Sequence, residues 1–273
     1  MSATPRAAVP SAAANSPFPG PPSAPWVDAD ASFFAEQLAR SDYARNLGDT
    51  LRALYGGRPR SLIDIGAGSG LLGQAVIARG GRWCAIEPNA HMRGRLAGLA
   101  EARPDLSIEI RDAVWQELAP ADPAAPADLV LCANIPGPIG QARALHARTR
   151  PLGRMLAWIV PAQAGPRSWC LAGFLPSHLH GEDITPGDRL ALDELGGDLA
   201  PDTVHLVPWT FRALFPDRAA ARVHMLDHLG RRGHAVDDLE ARLDRHLDLA
   251  LVEADGGVIA EAPKLSAVFI WHS

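Results

Sequence analysis

Apolar positions along this chain recur in two rhythms, and the way these alternate predicts its architecture. Short, mostly apolar runs at Ser61–Ile65, Arg82–Ile86, Leu106–Ile110, Asp128–Asn134 and Gly153–Val160 read as buried strands. Segments of helical spacing lie between them, at Leu71–Ile77, Ala90–Glu101 and 138–149. Upstream, Phe33, Phe34, Leu38, Tyr43, Leu47, Leu51 and Leu54 predict one or two helices that Gly56-Gly57 ends. Downstream, Val204–Trp209 and Ser266–His272 predict a sixth and a last strand, with Pro208 near a sheet edge. Asp217–Leu229 and Val236–Leu251 predict a helical pair between those two strands, and a further helix is expected at Ser168–Phe174. Strands alternating with helices make an α/β chain: a doubly wound, mostly parallel, seven-stranded sheet. N-terminal helices over 28–57 and a helical insertion over 210–262, before the last strand, complete it.

Composition narrows the picture. The 273 residues suffice for one sizeable α/β domain, 28–273, and the 47% hydrophobic content suits a globular chain. Residues 1–27 are rich in alanine and proline, with neither helical nor strand period, and are expected to be a disordered tail. They lack the apolar core of a signal peptide, and no run is long enough to span a bilayer. A net charge of −5 and a pI near 6.0 argue against general nucleic-acid binding, which leans on a basic surface. Cys84, Cys132 and Cys170 form no framework; the first two fall in buried strands, as expected of core thiols in a reducing, cytoplasmic setting.

The most informative stretch is Asp64-Ile-Gly66-Ala67-Gly68-Ser-Gly70-Leu-Leu-Gly73. A buried strand ends in an acid and runs into glycines at alternate positions, then a helix. Glycine is needed where backbone turns at positive φ or approaches a ligand with no Cβ in the way. Gly68-x-Gly70-x-x-Gly73 fits the dinucleotide pattern G-x-G-x-x-G. In that fold the first glycine follows the strand directly; counted from Gly66, the third position falls on Leu71. A diphosphate also requires donors, whereas Asp64 is placed for a cationic ligand.

The later strand ends bear on the choice. Ala85-Ile86-Glu87-Pro88-Asn89 ends a strand in a carboxylate suited to ribose hydroxyls, and Asn89 can cap the next helix. Met92 falls in the first turn of that helix, either against an adenine face or in the core. Ile110-Arg111-Asp112-Ala113 offers an acid to an adenine amino group, with the N–H of Ala113 or Val114 for a ring nitrogen. Together, DIGAGSG at 64–70, AIEPN at 85–89, IRDA at 110–113 and DLVLCAN at 128–134 resemble a class I S-adenosylmethionine (SAM) methyltransferase. The resemblance covers 61–160 and implies a Rossmann-like fold with SAM as cofactor. It implies that Gly66, Ala67, Gly68 and Gly70 line the methionine portion of SAM, with Asp64 beside them. Glu87 and Pro88 would border the ribose, Asp112, Ala113 and Val114 the adenine, and Asn134 and Ile135 the methyl group. Tyr43, on a helix closing over the site, would reach the SAM carboxylate.

The acceptor is less legible. Asn134-Ile135-Pro136-Gly137 is similar to the Asn-(Ile/Leu)-Pro-aromatic signature of rRNA adenine dimethylases, where the Asn accepts from the target amine. Gly137 occupies the aromatic position, so base stacking, about 1–3 kcal/mol, is missing. Asn134 and, on the loop after the fifth strand, His180 (or His178) are the candidate catalytic residues. His224 and His228 stand four apart on a helix with no identifiable third ligand, so no metal site is expected. Trp158, Trp209, Phe211 and Phe215 are candidates to line an apolar acceptor site beneath a lid at 210–262. The leading expectation is methyl transfer to a small-molecule acceptor, with no membrane and no nucleic-acid partner. An amino-directed RNA or protein methyltransferase, a non-catalytic SAM-binding subunit and an NAD-linked oxidoreductase are the alternatives.

Overall fold

A computed structural model describes residues 28–118, 126–135, 139–163, 185–231 and 237–273. The Ala/Pro-rich segment 1–27, the expected helix at 168–174, Pro136, Gly137, Cys170, His178 and His180 lie outside the described residues, as does the His228 side chain.

Two helices, α1 (Asp28–Arg40) and α2 (Tyr43–Tyr55), precede β1 (Ser61–Ile65). Strand and helix then alternate through α3 (Leu71–Val76), β2 (Arg82–Ile86), α4 (Ala90–Ala102), β3 (Ser107–Arg111) and β4 (Ala127–Ala133). They continue through α5 (Ala142–Thr149), β5 (Gly153–Pro161), α6 (Gly187–Leu195) and β6 (Thr203–Phe215). Helices α7 (Arg218–Arg231) and α8 (Leu239–Ala250) follow, then the short β7 (Leu251–Ala254) and the long β8 (Gly257–His272).

The strands form one sheet in the order β3-β2-β1-β4-β5-β8-β6, with β7 paired to β8 off that path. Strands β1 to β5 are parallel, and β8 runs antiparallel to both β5 and β6. Strand order reverses between β1 and β4, the switch point where open α/β sheets place their ligand crevice. The α/β, doubly wound, mostly parallel reading stands. One count differs: seven strands make the main path and β7 is an eighth, too short at four residues to show a period of its own.

Both sheet faces are covered. One carries Leu47, Leu51, Val76 and Leu96 from α2, α3 and α4, with Met225, Leu229, Leu243 and Leu247 from α7 and α8. The other carries Leu145 of α5 and Ala191 and Leu195 of α6, against Val130, Trp158 and Phe269. This two-sided burial is why β4 and β5 read as nearly continuous apolar runs.

The segment 210–262 is helical only in α7 and α8, close to the expected pair. Strand takes up much of the remaining described stretch: β6 runs on past Trp209 to Phe215, and β8 begins at Gly257 rather than Ser266. Val258, Ala260 and Ala262 alternate inward there, but alanine is a poor strand former and Pro263 reads as a breaker. Pro263 is tolerated because it falls after the stretch paired to β7, which ends at Ala260, and before the stretch paired to β5, which starts at Ser266. Pro208 sits within β6, which is the edge strand that the sequence suggested.

Candidate functional site

The carboxyl ends of β3, β2, β1 and β4 lie side by side in register: Arg111 opposite Ile86, Ile86 opposite Ile65, and Ile65 opposite Cys132. The residues that follow, Asp112, Glu87 and Gly66, with Asn134 two positions past Cys132, therefore line one edge of the sheet. Three inter-strand spacings separate the first from the last, about 14 Å. That is the span of an extended nucleoside with an aminoacyl tail.

Gly66, Gly68 and Gly70 adopt φ of 67°, 58° and 79°. The loop folds back so that the N–H groups of Gly66 and Ala67 both donate to the Ile86 carbonyl, at 2.8 and 3.1 Å. A Cβ on Gly66 would stand 2.1 Å from Ile135 Cγ2, and one on Gly70 would press into Leu96, Leu99 and Trp83. A Cβ on Gly68 would meet no atom within 4 Å, so the loop turns an open face outward at that residue alone of the three.

Glu87 joins that loop to the end of β2. Its Oε2 accepts from the Gly68 N–H and its Oε1 from the Asn89 N–H, each at 2.8 Å. The side chain is buried, and desolvation raises its pKa, opposed by those two N–H bonds and by Arg93. Each oxygen keeps a second lone-pair position after one N–H bond. Asn89 also caps α4, accepting from the Met92 N–H at 3.0 Å.

Asp64 lies beneath the loop. Its carboxylate packs under α3, where a Cβ on Gly73 would stand 2.6 Å from Oδ2. Burial, then the charge of Glu87, pushes its pKa up to about 7. The nearby Trp83 indole tempers this, although its N–H falls short of full hydrogen-bond geometry to any partner. Two buried carboxylates thus sit under and beside the loop, a field that repels a diphosphate and favours a cationic ligand.

At the β3 end, Asp112 is exposed and pairs with Arg93, Oδ1 at 2.9 Å and Oδ2 at 2.8 Å. Arg93 also donates to the Glu87 and Pro88 carbonyls at 3.1 and 2.6 Å, tying the ends of β2 and β3 together. The sequence reading passed over Arg93; its place four residues after the Asn89 cap, on the face toward the strand ends, was the available signal. Ala113 and Val114 enter the 3-10 turn Trp115–Glu117. Met92 is buried against Ala31, Ala35 and Phe34 of α1.

At the β4 end, Asn134 holds φ 50°, one of two non-glycine residues at positive φ among the described residues. Its N–H donates to the Ile159 carbonyl at 3.0 Å, and its Nδ2 donates to the Tyr43 hydroxyl at 3.1 Å. Tyr43 in turn packs edge-on against Trp209, ring centroids 4.9 Å apart. Backbone strain of this kind persists where surroundings over-determine it and concentrates at functional sites. Tyr43 and Asn134, distant in sequence, are thus brought together. Trp158, Trp209, Phe211 and Phe215, read as candidates for an acceptor wall, are all buried in the two cores instead. No group of three or more metal-ligating side chains occurs among the described residues, and no described helix is long and apolar enough to cross a membrane.

No family model and no curated protein matches the chain. Solved structures similar to it include a provisionally assigned methyltransferase of Bacillus halodurans, at 13% identity, covering 82% of this chain and 96% of that one, TM-score 0.47. Another is a SAM-dependent methyltransferase of Geobacter sulfurreducens in complex with S-adenosylhomocysteine (SAH), at 17% identity, 84% and 90% coverage, TM-score 0.42. A third is a provisionally assigned RNA methyltransferase of Pyrococcus horikoshii, at 11% identity, 83% and 81% coverage, TM-score 0.43. At such identities and scores the chemistry rests on the geometry of the chain itself.

Proposed function

We propose that this chain is a SAM-dependent methyltransferase acting on a small-molecule acceptor. One observation carries the reading: the Glu87 carboxylate, locked by the Gly68 and Asn89 N–H groups beside a glycine loop whose one open face is Gly68. The residues fit the cofactor. Glu87 has acceptor positions left for two ribose hydroxyls, and Gly68 leaves room where a side chain would intrude. Asp64 acts through its field from beneath the loop, since its buried carboxylate packs under α3. Asp112, with Ala113 and Val114, borders the adenine side, Asn134 and Ile135 the methyl side, and Tyr43, bonded to Asn134, the SAM carboxylate.

Bound SAM supplies a methyl group on a positively charged sulfur, open to in-line displacement. What the chain must then do is hold the acceptor atom in line and keep water out, and positioning supplies much of such a rate. Asn134 is suited to this, because its strained backbone and its bond to Tyr43 fix the direction of its amide. A base is needed only for an acceptor with a tightly held proton; His180 is the sequence candidate for it.

Calorimetry tests the cofactor. SAM and SAH are expected to bind and NAD is not, and Glu87→Ala should weaken both of the former. Tight NAD binding, or SAM affinity indifferent to Glu87→Ala, overturns the reading. Transfer from labelled SAM into an RNA or protein fraction would instead favour the amino-directed alternative drawn from Asn134-Ile135-Pro136-Gly137.

A further inference from the structure

Lys264 is the only lysine among 26 strongly basic residues. It is also the one buried cation among the described residues, 5% exposed. Elsewhere the chain uses arginine at the surface, in pairs such as Arg143–Asp198, Arg212–Glu261 and Arg222–Glu240. The two side chains are not interchangeable: arginine presents a broad planar fork, lysine a compact point charge on a flexible stem.

The place of Lys264 gives that charge a use. β8 runs antiparallel to β5, and Ser266 pairs with Pro161, the last residue of β5. Lys264, two residues earlier on β8, therefore lies about 7 Å beyond the carboxyl end of β5. It shares its sheet face with Ala262 and Ser266 and stands opposite Trp209 of β6. Trp209 donates to Ser266 Oγ at 3.0 Å and packs edge-on against Tyr43, whose hydroxyl accepts from Asn134. One line of contacts thus runs from the strand position of Lys264 to the residue at the methyl end of the crevice. β8 and β4 are two strand spacings apart, about 10 Å, a gap that a small acceptor spans. Lys264 already interacts within the chain, so an incoming anion shares or exchanges that contact.

We propose that Lys264 recognises the negatively charged group of the methyl acceptor, a small molecule bearing a carboxylate or phosphate, and turns its reactive atom toward Asn134. This rests on the methyltransferase reading above. The intact protein, tritium-labelled SAM and a small-molecule cell extract test it, with products separated on an anion exchanger at neutral pH. Label is expected in the retained, anionic fraction. Lys264→Met should lower transfer by at least about thirtyfold while SAH affinity, read by calorimetry, stays at the wild-type value. Lys264→Arg, which keeps the charge but not its shape, should fall between. Label in the unretained fraction overturns the anionic acceptor, a result obtained on the wild-type protein alone. Wild-type rates in Lys264→Met overturn the role of the lysine. Failure of the wild-type protein to bind SAH overturns the methyltransferase reading itself, and this proposal with it.

Discussion

Adding a single methyl group at Gly68 separates backbone geometry from ligand space. Gly68 lies at φ 58° with no atom near the position of a Cβ, and Gly56, the C-cap of α2, lies at φ 79° with the same empty surroundings. Alanine in the left-handed region costs about 1–2 kcal/mol. A part of that, about 0.4–1 kcal/mol, is offset by the lower entropy of the unfolded chain. Gly68→Ala and Gly56→Ala should therefore destabilise alike, by about 1 kcal/mol, or roughly 2–4 °C in a chain of this size. Their ligand affinities should diverge. In Gly68→Ala the added methyl occupies the space assigned to SAM, so SAH affinity should fall at least tenfold, about 1.4 kcal/mol. In Gly56→Ala it should not change. Thermal unfolding without ligand and calorimetry with SAH measure the two effects. Equal SAH affinity in both variants, with equal loss of stability, would refute the assignment of the open face to the cofactor.

Asp64 should leave a pH signature on stability. Its folded pKa of about 7 stands above the ordinary 3.8, so between about pH 4 and pH 7 the unfolded chain releases a proton that the folded chain keeps. Its contribution is complete below that window, is lost as pH rises through it, and is on the order of 4 kcal/mol. Urea midpoints of wild type and Asp64→Asn at about pH 5 and pH 8 should differ less at the lower value than at the higher, where the variant is favoured; parallel profiles refute the shift. Because a cationic ligand favours the ionised form, SAM affinity should rise over the same range in the wild type only. Tyr43→Phe removes the acceptor for Asn134 Nδ2 and should cost about 1 kcal/mol, with methyl transfer slowed and SAH affinity lowered. Asn134→Gly spares the φ of 50° but removes the same bond to Tyr43, so it should slow transfer at a similar cost of about 1 kcal/mol in stability; an unslowed rate would remove Asn134 from the site.

In the parallel half of the sheet, β4 and β5 were legible because strands buried on both faces are written as near-continuous apolar runs, and β1 to β3 because each short run, alternating in β3, ends directly at a glycine or an acid. Gly66, Glu87, Asp112 and Asn134 could be aligned on one edge from sequence for that reason. The antiparallel half was harder to read. In β8 the inward positions before Leu265 are filled by Val258, Ala260, Ala262 and Lys264, a series with little bulk and one charge. Nothing local marks it as a strand; it is held by its neighbour β6 along thirteen paired positions. Lys264 escaped notice on the same account, since a lysine inside a weak apolar pattern looks like surface. Pairwise features such as Arg93 with Asp112, or Tyr43 with Asn134, depend on residues remote in the chain and have no signature in a local window.

The position of β8 between β5 and β6 has a bearing on how the chain is made. β6 emerges from synthesis more than forty residues before the strand that attaches it to the sheet. Until residues 257–272 arrive, β5 has an open flank and β6 has no partner in the sheet. The nascent protein thus presents two unsatisfied ribbon borders, Trp158 and Phe211 among their side chains, that only the latest segment can close. A ribosome stalled before Gly257 would release a product with a nearly finished crevice at the ends of β1 to β4 and a sticky, unsealed side.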